Sequence, residues 1–363
     1  MSRKLITIST IMTLMSTSVI ADVPNVAADI APIHSLVSRV MDGVGAPKLI
    51  VQSGASPHGY RLRPSEAKAL QDADHVFWMG EELTPWLDSA IDTLATKASV
   101  TTLLDQEGII LHDFREGALF EAHDHSAHGD DDHDDHDDHD DDKGHKDHDD
   151  HDDHDDHKDH DDHDDHDDHK DHDDHVDHDD HDDHKDHDDH DDHGSHDPHA
   201  WLSPENAKLW LNIIASKLSV SDPENAATYF MNAAAGQAEI EAMIAEVKAT
   251  LKPVQGGKFV VFHDAYQYFE NDFDFYASGA ISLGDSSDPS PARIEKVQKR
   301  IRDEGIQCVL AEPQFKKGLV ATVMEGSDAT ASVIDPLGAE LETGPKLYTR
   351  LIKNMAKTLR NCL

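Results

Sequence analysis

Residues 222–253 read DPENAATYFMNAAAGQAEIEAMIAEVKATLKP. Asp222-Pro223 is a helix start, because an Asp side chain can cap free backbone N–H groups and proline suits the first helical turn. Ala226, Phe230, Ala233, Ile240, Ile244, Val247 and Leu251 then keep to steps of three and four. Gln237 is the one polar step of that stripe, and Gly236 beside it weakens the pattern locally. Pro253 and Gly256-Gly257 end it. The spacing predicts a single helix over 222–253, whose stripe of about 29 residues would span roughly 43 Å at 1.5 Å per residue. That is more than twice the average helix, long enough to cross from one domain to another as a stiff strut.

The flanking sequence alternates strands and helices on both sides. Upstream, Ser203-Pro204-Glu205 opens a helix that runs to about Val220. Farther back, Lys48–Gly54 (KLIVQSG), His75–Gly80 (HVFWMG) and Val100–Leu104 are strand-like. Pro64–Leu70 and Thr84–Ala95 between them have helical patterns. Downstream, Lys258–Phe262 (KFVVF), Cys308–Ala311 and Ala331–Ile334 read as strands. They alternate with helices through Tyr268, over Pro291–Gly305, Leu319–Glu325 and Lys346–Leu359. Short buried strands alternating with helices predict an α/β fold of two lobes, each a mainly parallel sheet flanked by helices. The predicted organisation is an N-terminal lobe over 22–122, completed by 199–221, the linking helix 222–253, and a C-terminal lobe over 254–363.

Residues 123–198 interrupt the first lobe with a different kind of sequence. Residues 123–199 hold 25 of the 30 His, 39 Asp and five Lys, with a His at every third position from His133 to His199 except Asp142. Such a composition offers nothing apolar to offset the entropy of ordering, so it predicts a disordered loop. Imidazole and carboxylate are ligands that Zn²⁺ and its neighbours favour, so the loop reads as metal-binding. At up to four His per ion it would hold on the order of six Zn²⁺. Most of these His are neutral near pH 7; near pH 5 they would protonate and release metal. The loop supplies 34 of the 44 net negative charges of the chain. The remainder is only mildly acidic, and no basic patch points to nucleic acid.

The first 21 residues read as a secretory signal. Arg3 and Lys4 precede a stretch, Leu5–Ile20, too short and too rich in Ser and Thr for a membrane span. Val19-Ile20-Ala21 fits a cleavage site, and no Cys stands there to carry a lipid anchor. An exported, non-membrane-spanning product is expected, most plausibly in a bacterial periplasm. Cys308 and Cys362 are the two cysteines. In an oxidising compartment they are expected to bridge and tie the C-terminal tail to the body.

Only five His lie outside the 123–199 segment: His34, His58, His75, His112 and His263. His58 follows the strand KLIVQSG, His263 ends KFVVF, and Asp335 follows the strand ASVI. Open α/β sheets collect ligands at the carboxyl ends of their strands. With His199, where the loop re-enters ordered sequence, these residues supply three imidazoles and a carboxylate, a suitable tetrahedral Zn²⁺ set. Glu312 and Asp264 are candidates to orient a His ligand from behind. His34, His75 and His112 read as structural residues.

The segments GASPHGYRLRPSEAKALQDAD, HAWLSPENA, KFVVFHDAYQYFE, LAEPQF and IDPLG together resemble the periplasmic zinc-binding proteins of ABC-type importers, the ZnuA family. A His-rich loop between the two halves is typical of its zinc branch. The resemblance covers nearly the whole chain after residue 21. It implies that His58, His199 and His263 bind zinc, with Asp335, a water or a nearby carboxylate completing the shell. Manganese relatives tend to carry Glu where His263 stands, so an imidazole there points to zinc. Some relatives have an acidic residue just before the first His; here it is Pro57. The implied fold is two α/β lobes bridged by a long helix, and the implied partner is an inner-membrane ABC permease. The expected function is a monomeric, non-enzymatic carrier, with the Asp/His loop as an auxiliary scavenger. A zinc storage protein, a zinc hydrolase or hydratase, and a surface adhesin are the rival readings.

Overall fold

The computed structural model describes residues 23–115, 120, 196–282, 284, 289–315 and 317–363. The expected signal, 1–21, and nearly all of the Asp/His loop lie outside the described residues. The described part carries two four-stranded sheets, parallel throughout. The first comprises β1 (Val26–Ala28), β2 (Lys48–Leu49), β3 (His75–Trp78) and β4 (Ser99–Thr102), in the order β2-β1-β3-β4. The second comprises β5 (Phe259–His263), β6 (Ala280–Ser282), β7 (Cys308–Ala311) and β8 (Thr330–Val333), in the equivalent order β6-β5-β7-β8. Each lobe is therefore the same winding, reversing direction between its first and third strands.

Helices cover both faces of both sheets. In the first lobe these are α1 (Ala31–Val40), α2 (Pro64–Gln71), α3 (Pro85–Leu94) and α4 (Pro204–Ser221). The linking helix is α5 (Ala226–Leu251). The second lobe adds α6 (Gln267–Phe273), α7 (Pro291–Glu304), α8 (Lys317–Met324) and α9 (Leu347–Cys362). Outer-face residues of the first sheet, among them Val76 and Trp78, pack with Leu70 of α2 and with Leu87 and Ile91 of α3. Val260, Ile281 and Val309 do the same with Val297 and Ile301 of α7 and Val320 and Val323 of α8. The inner faces belong to one continuous apolar core that runs from Val26 through Trp210, Tyr229 and Val247 to Leu359. The lobes thus share a core across α5.

That core is stitched by buried polar contacts between the lobes. Ser35 Oγ of α1 donates to the Gly344 carbonyl (2.7 Å) and accepts from the Tyr348 N–H (3.0 Å) at the start of α9. Trp201 Nε1 donates to the Pro336 carbonyl (2.8 Å), and Tyr348 Oη donates to the Trp201 carbonyl (3.0 Å). Pulling the lobes apart would break these bonds and expose the shared apolar core to water.

The linking helix exists but is shorter and turned relative to the sequence expectation. It has 26 residues, about 39 Å, and begins at Ala226 because Asp222 is used in the turn that ends α4. The Asp222 carboxylate accepts from Asn225 Nδ2 and Tyr229 Oη, both at 2.7 Å. The buried face is Tyr229, Ala233, Gly236, Ile240, Met243, Val247 and Leu251, while Phe230 is half exposed. Gly236 explains the rotation. A Cβ there would meet Leu211 Cδ1 at 2.9 Å and Arg39 Cγ at 3.1 Å, so the glycine is the point of closest approach to α4 and α1. Gly236→Ala gains about 1 kcal/mol of helix propensity but overpacks a site whose typical cost is about 1–3 kcal/mol. Leu211 is fully buried and Arg39 is held by Glu239 (3.1 Å), so neither yields freely. We expect a net loss of about 1 kcal/mol, read as a lower urea midpoint; a raised midpoint would contradict this account.

Candidate metal centre

The carboxyl ends of the strands carry the site. His263 is the last residue of β5, and Glu312 follows β7. These neighbouring strands flank the point where the second sheet reverses its strand order, the place where open α/β sheets bind ligands. Glu312 Oε1 lies 2.6 Å from His263 Nδ1, with both side chains buried. His199 lies just before the 3₁₀ turn Ala200–Leu202, on the chain returning from the Asp/His loop. Its Nδ1 lies 2.6 Å from Asp197 Oδ1, and its backbone N–H donates to the same oxygen at 2.9 Å.

These contacts fix the tautomers. A carboxylate only accepts, so each imidazole carries its proton on Nδ1 and presents the Nε2 lone pair. The two Nε2 atoms face each other at 3.4 Å. With both protons on Nδ1 this is two acceptors juxtaposed, an arrangement that a cation between them would favour. A tetrahedral ion with Zn–N bonds near 2.0–2.1 Å sets its ligand nitrogens about 3.3–3.4 Å apart. The observed separation matches that edge.

His58 approaches from the first lobe, with its ring centroid 5.6 Å from that of His199. Its loop is braced from below. Trp86 Nε1 donates to the Pro57 carbonyl (2.6 Å), and Tyr60 Oη donates to the buried Glu66 (2.7 Å), whose other oxygen accepts from Arg63 N–H (2.7 Å). His58, His199, His263, Glu312, Trp201 and Phe315 are among the residues lining a cavity of about 20 Å³. One water-sized body needs about 10–15 Å³, so there is room for an ion between the imidazoles. Among the described residues, no group of three or more His, Cys, Asp or Glu side chains is placed so that it could hold a metal ion as it stands.

Asp335 follows β8, as expected, but does not line this cavity. Its Oδ1 accepts from the N–H groups of Leu337 (3.0 Å) and Gly338 (2.9 Å), and its Oδ2 from that of Ala339 (2.5 Å). Three of its four lone-pair positions therefore fold the IDPLG turn. Asp264 has no orienting contact with either imidazole among the contacts described. Instead Arg115 bridges it to Glu270, with Arg115 Nη1 2.5 Å from Glu270 Oε2 and Nη2 on Asp264 Oδ1. Burial raises the Asp264 carboxyl above its ordinary range and pushes Glu270 up to about 7, against the opposing pull of Arg115. Burial also works against the Arg115 charge, but the two carboxylates outweigh it and hold its pKa above the ordinary value.

Asp197 is the contributor that sequence reasoning overlooked. It looked like one more Asp of the loop, and only its place two residues before His199 distinguished it. The three His read as structural have structural partners. His34 Nε2 lies 3.2 Å from the Pro47 carbonyl, His75 Nε2 lies 2.7 Å from Ser221 Oγ, and the His112 ring packs on Tyr268.

Comparison with known proteins gives the family. The family model "Zinc-uptake complex component A periplasmic", ZnuA, matches residues 26–362. The chain belongs to the ZnuA family. The high-affinity zinc uptake system protein ZnuA of Brucella abortus is 46% identical over 338 residues, covering 93% of this chain and 91% of that protein. The ZnuA of Paracoccus denitrificans is 42% identical over 344 residues, covering 94% and 93%. A crystal structure of a ZnuA superposes with a TM-score of 0.65 at 18% identity, covering 94% of this chain and 99% of that one; at that identity the likeness concerns the fold. The two-lobed ZnuA fold with its bridging helix is therefore the fold of this chain.

Proposed function

We propose that this chain is a zinc receptor that captures Zn²⁺ in the periplasm and delivers it to an inner-membrane ABC permease. The observation that carries the reading is the facing pair His199 and His263, with Nε2 atoms 3.4 Å apart and each Nδ1 held by a buried carboxylate. His199 and His263 supply two ligands and His58 a third, with the loop around Pro57 bringing it in. The fourth position falls to a water or to the remaining lone pair of Asp335. Glu312 and Asp197 act from behind, fixing ring orientation and raising ligand basicity. Zinc here is cargo, and an all-imidazole trio favours it over manganese. The proposed organisation is a signal over 1–21, lobes over 22–122 with 199–221 and over 254–363, the helix region 222–253 between them, and the 123–198 loop as scavenger.

The carrier is read as a monomer that catalyses nothing, and the space between its three imidazoles, about 20 Å³, suits an ion. Among the described residues no helix is long and apolar enough to cross a membrane. The storage reading rests on the Asp/His composition alone. Chelator competition on a variant lacking 123–193, with Zn²⁺ and Mn²⁺ in parallel, separates the two. One tight zinc site, at least about 100-fold weaker for manganese, is expected from ligand softness. Absence of any tight site would move the metal chemistry to the loop and sink the receptor reading.

A further inference from the structure

The two legs from which the Asp/His loop springs meet next to His199, and one buried hydroxyl holds both. Tyr268, on α6, is fully buried. Its Oη accepts from the His112 N–H at 3.1 Å on the outgoing leg and donates to the Asp197 carbonyl at 2.7 Å on the returning leg. The Asp197 N–H donates to the His112 carbonyl at 2.7 Å, so the legs are also joined directly. One step farther out, Asp113 and His196 form an antiparallel bridge, with His196 Nδ1 2.9 Å from Asp113 Oδ1. Arg115 pins the outgoing leg to Asp264 and Glu270, and its guanidinium lies 3.6 Å from the centre of the Phe120 ring.

We propose that Tyr268 is a positioning residue for zinc binding, acting on His199 through Asp197, whose backbone it holds and whose carboxylate orients the imidazole. This rests on the receptor reading above and deepens it. The geometry makes the coupling specific. The hydroxyl grips the backbone of the same residue whose Oδ1 takes both the His199 N–H and the His199 Nδ1 proton. With the hydroxyl gone, the Asp197 carbonyl loses its donor and the His112 N–H its acceptor, and both must find water. The returning leg is then free to shift along the remaining pairing with His112, and the His199 Nε2 moves off the tetrahedral edge it shares with His263. Arg115, on the outgoing leg, anchors the same clamp to Asp264 and Glu270 of the second lobe.

The test uses the full chain after residue 21, loaded with one equivalent of zinc, and follows the slowest phase of release into excess chelator. Loss of a partner that orients a metal ligand typically costs 10–100-fold, and Tyr268→Phe, one step farther out, should speed release by about fivefold. Asp197→Asn should do so by more, and the double variant should release no faster than Asp197→Asn alone, because the tyrosine acts through that residue. Arg115→Lys keeps the charge but loses the fork, and should speed release in the same direction. Unfolding midpoints of the metal-free proteins are measured alongside. Lowered midpoints with wild-type release rates, or effects of Tyr268→Phe and Asp197→Asn that multiply, would overturn the proposal. Should Tyr268→Phe fail to fold, Arg115→Lys with a wild-type release rate would overturn it equally. A wild-type chain with no slow single-equivalent phase would instead defeat the receptor reading itself.

Discussion

Replacing His263 by alanine will weaken zinc binding at the cleft by more than about 100-fold, the upper end of what loss of an orienting partner costs, because His263 is proposed as a ligand itself. Two effects add. The His199–His263 edge of the tetrahedron disappears, leaving one preorganised imidazole in place of two. Glu312, 4% exposed, also loses the ring that its Oε1 holds. A carboxylate stranded there must protonate, recruit water or turn toward the metal, and each route costs free energy that the wild type does not spend. Chelator competition on the variant lacking 123–193 reads the effect without the loop. His75→Ala is the control, since His75 is bonded to Ser221 and stacks on Phe77 away from the cleft. A change below tenfold for His263→Ala would mean that the primary zinc site lies elsewhere.

The lobed fold was legible because its signals are local. KFVVF and HVFWMG are short apolar runs that suit a strand buried on both faces, and both are strands in place. The strands missing from the sequence reading, β1 and β6, have three residues each. Neither lies in an apolar run long enough to stand out, unlike β2, whose two residues open the run KLIVQSG. The rotation of α5 was illegible for another reason. A glycine on the buried face contributes nothing to a hydrophobic stripe, yet Gly236 decides which face can approach Leu211. His58 and His263 could be nominated from strand ends, because the end of a parallel strand is a position in space as well as in sequence, and His199 from the point where the loop re-enters ordered sequence. Asp197 and Arg115 could not, since their roles depend on partners 2 to 155 residues away, His199 among them and Asp264 and Glu270 across the fold.

Removing the bridge between Cys308 and Cys362 will lower the stability of the fold by roughly 4 kcal/mol. The two residues are paired, with Cα atoms 5.6 Å apart and a sequence separation of 54. The chain-entropy account values a closed loop of that length at roughly 4 kcal/mol. Location adds to it. Cys308 begins β7, the strand that carries Glu312 at its far end, and Cys362 is the last residue of α9. That helix buries Leu351, Ile352, Met355 and Leu359 in the core shared by both lobes. Without the bridge, the end of α9 is held by burial alone and can fray from the sheet edge. At about 2.1 cal/mol/K per residue for some 265 folded residues, a 4 kcal/mol loss lowers the melting temperature by roughly 7 °C. The Cys308→Ser, Cys362→Ser double variant, compared by calorimetry with the oxidised protein, measures this directly, and the reduced wild type should match it. Zinc affinity of the double variant should change by less than about threefold, because β7 stays paired to β5 and β8 along its length and distant sites add nearly independently. A large loss of affinity at unchanged melting temperature would show that the bridge serves the metal centre rather than the frame.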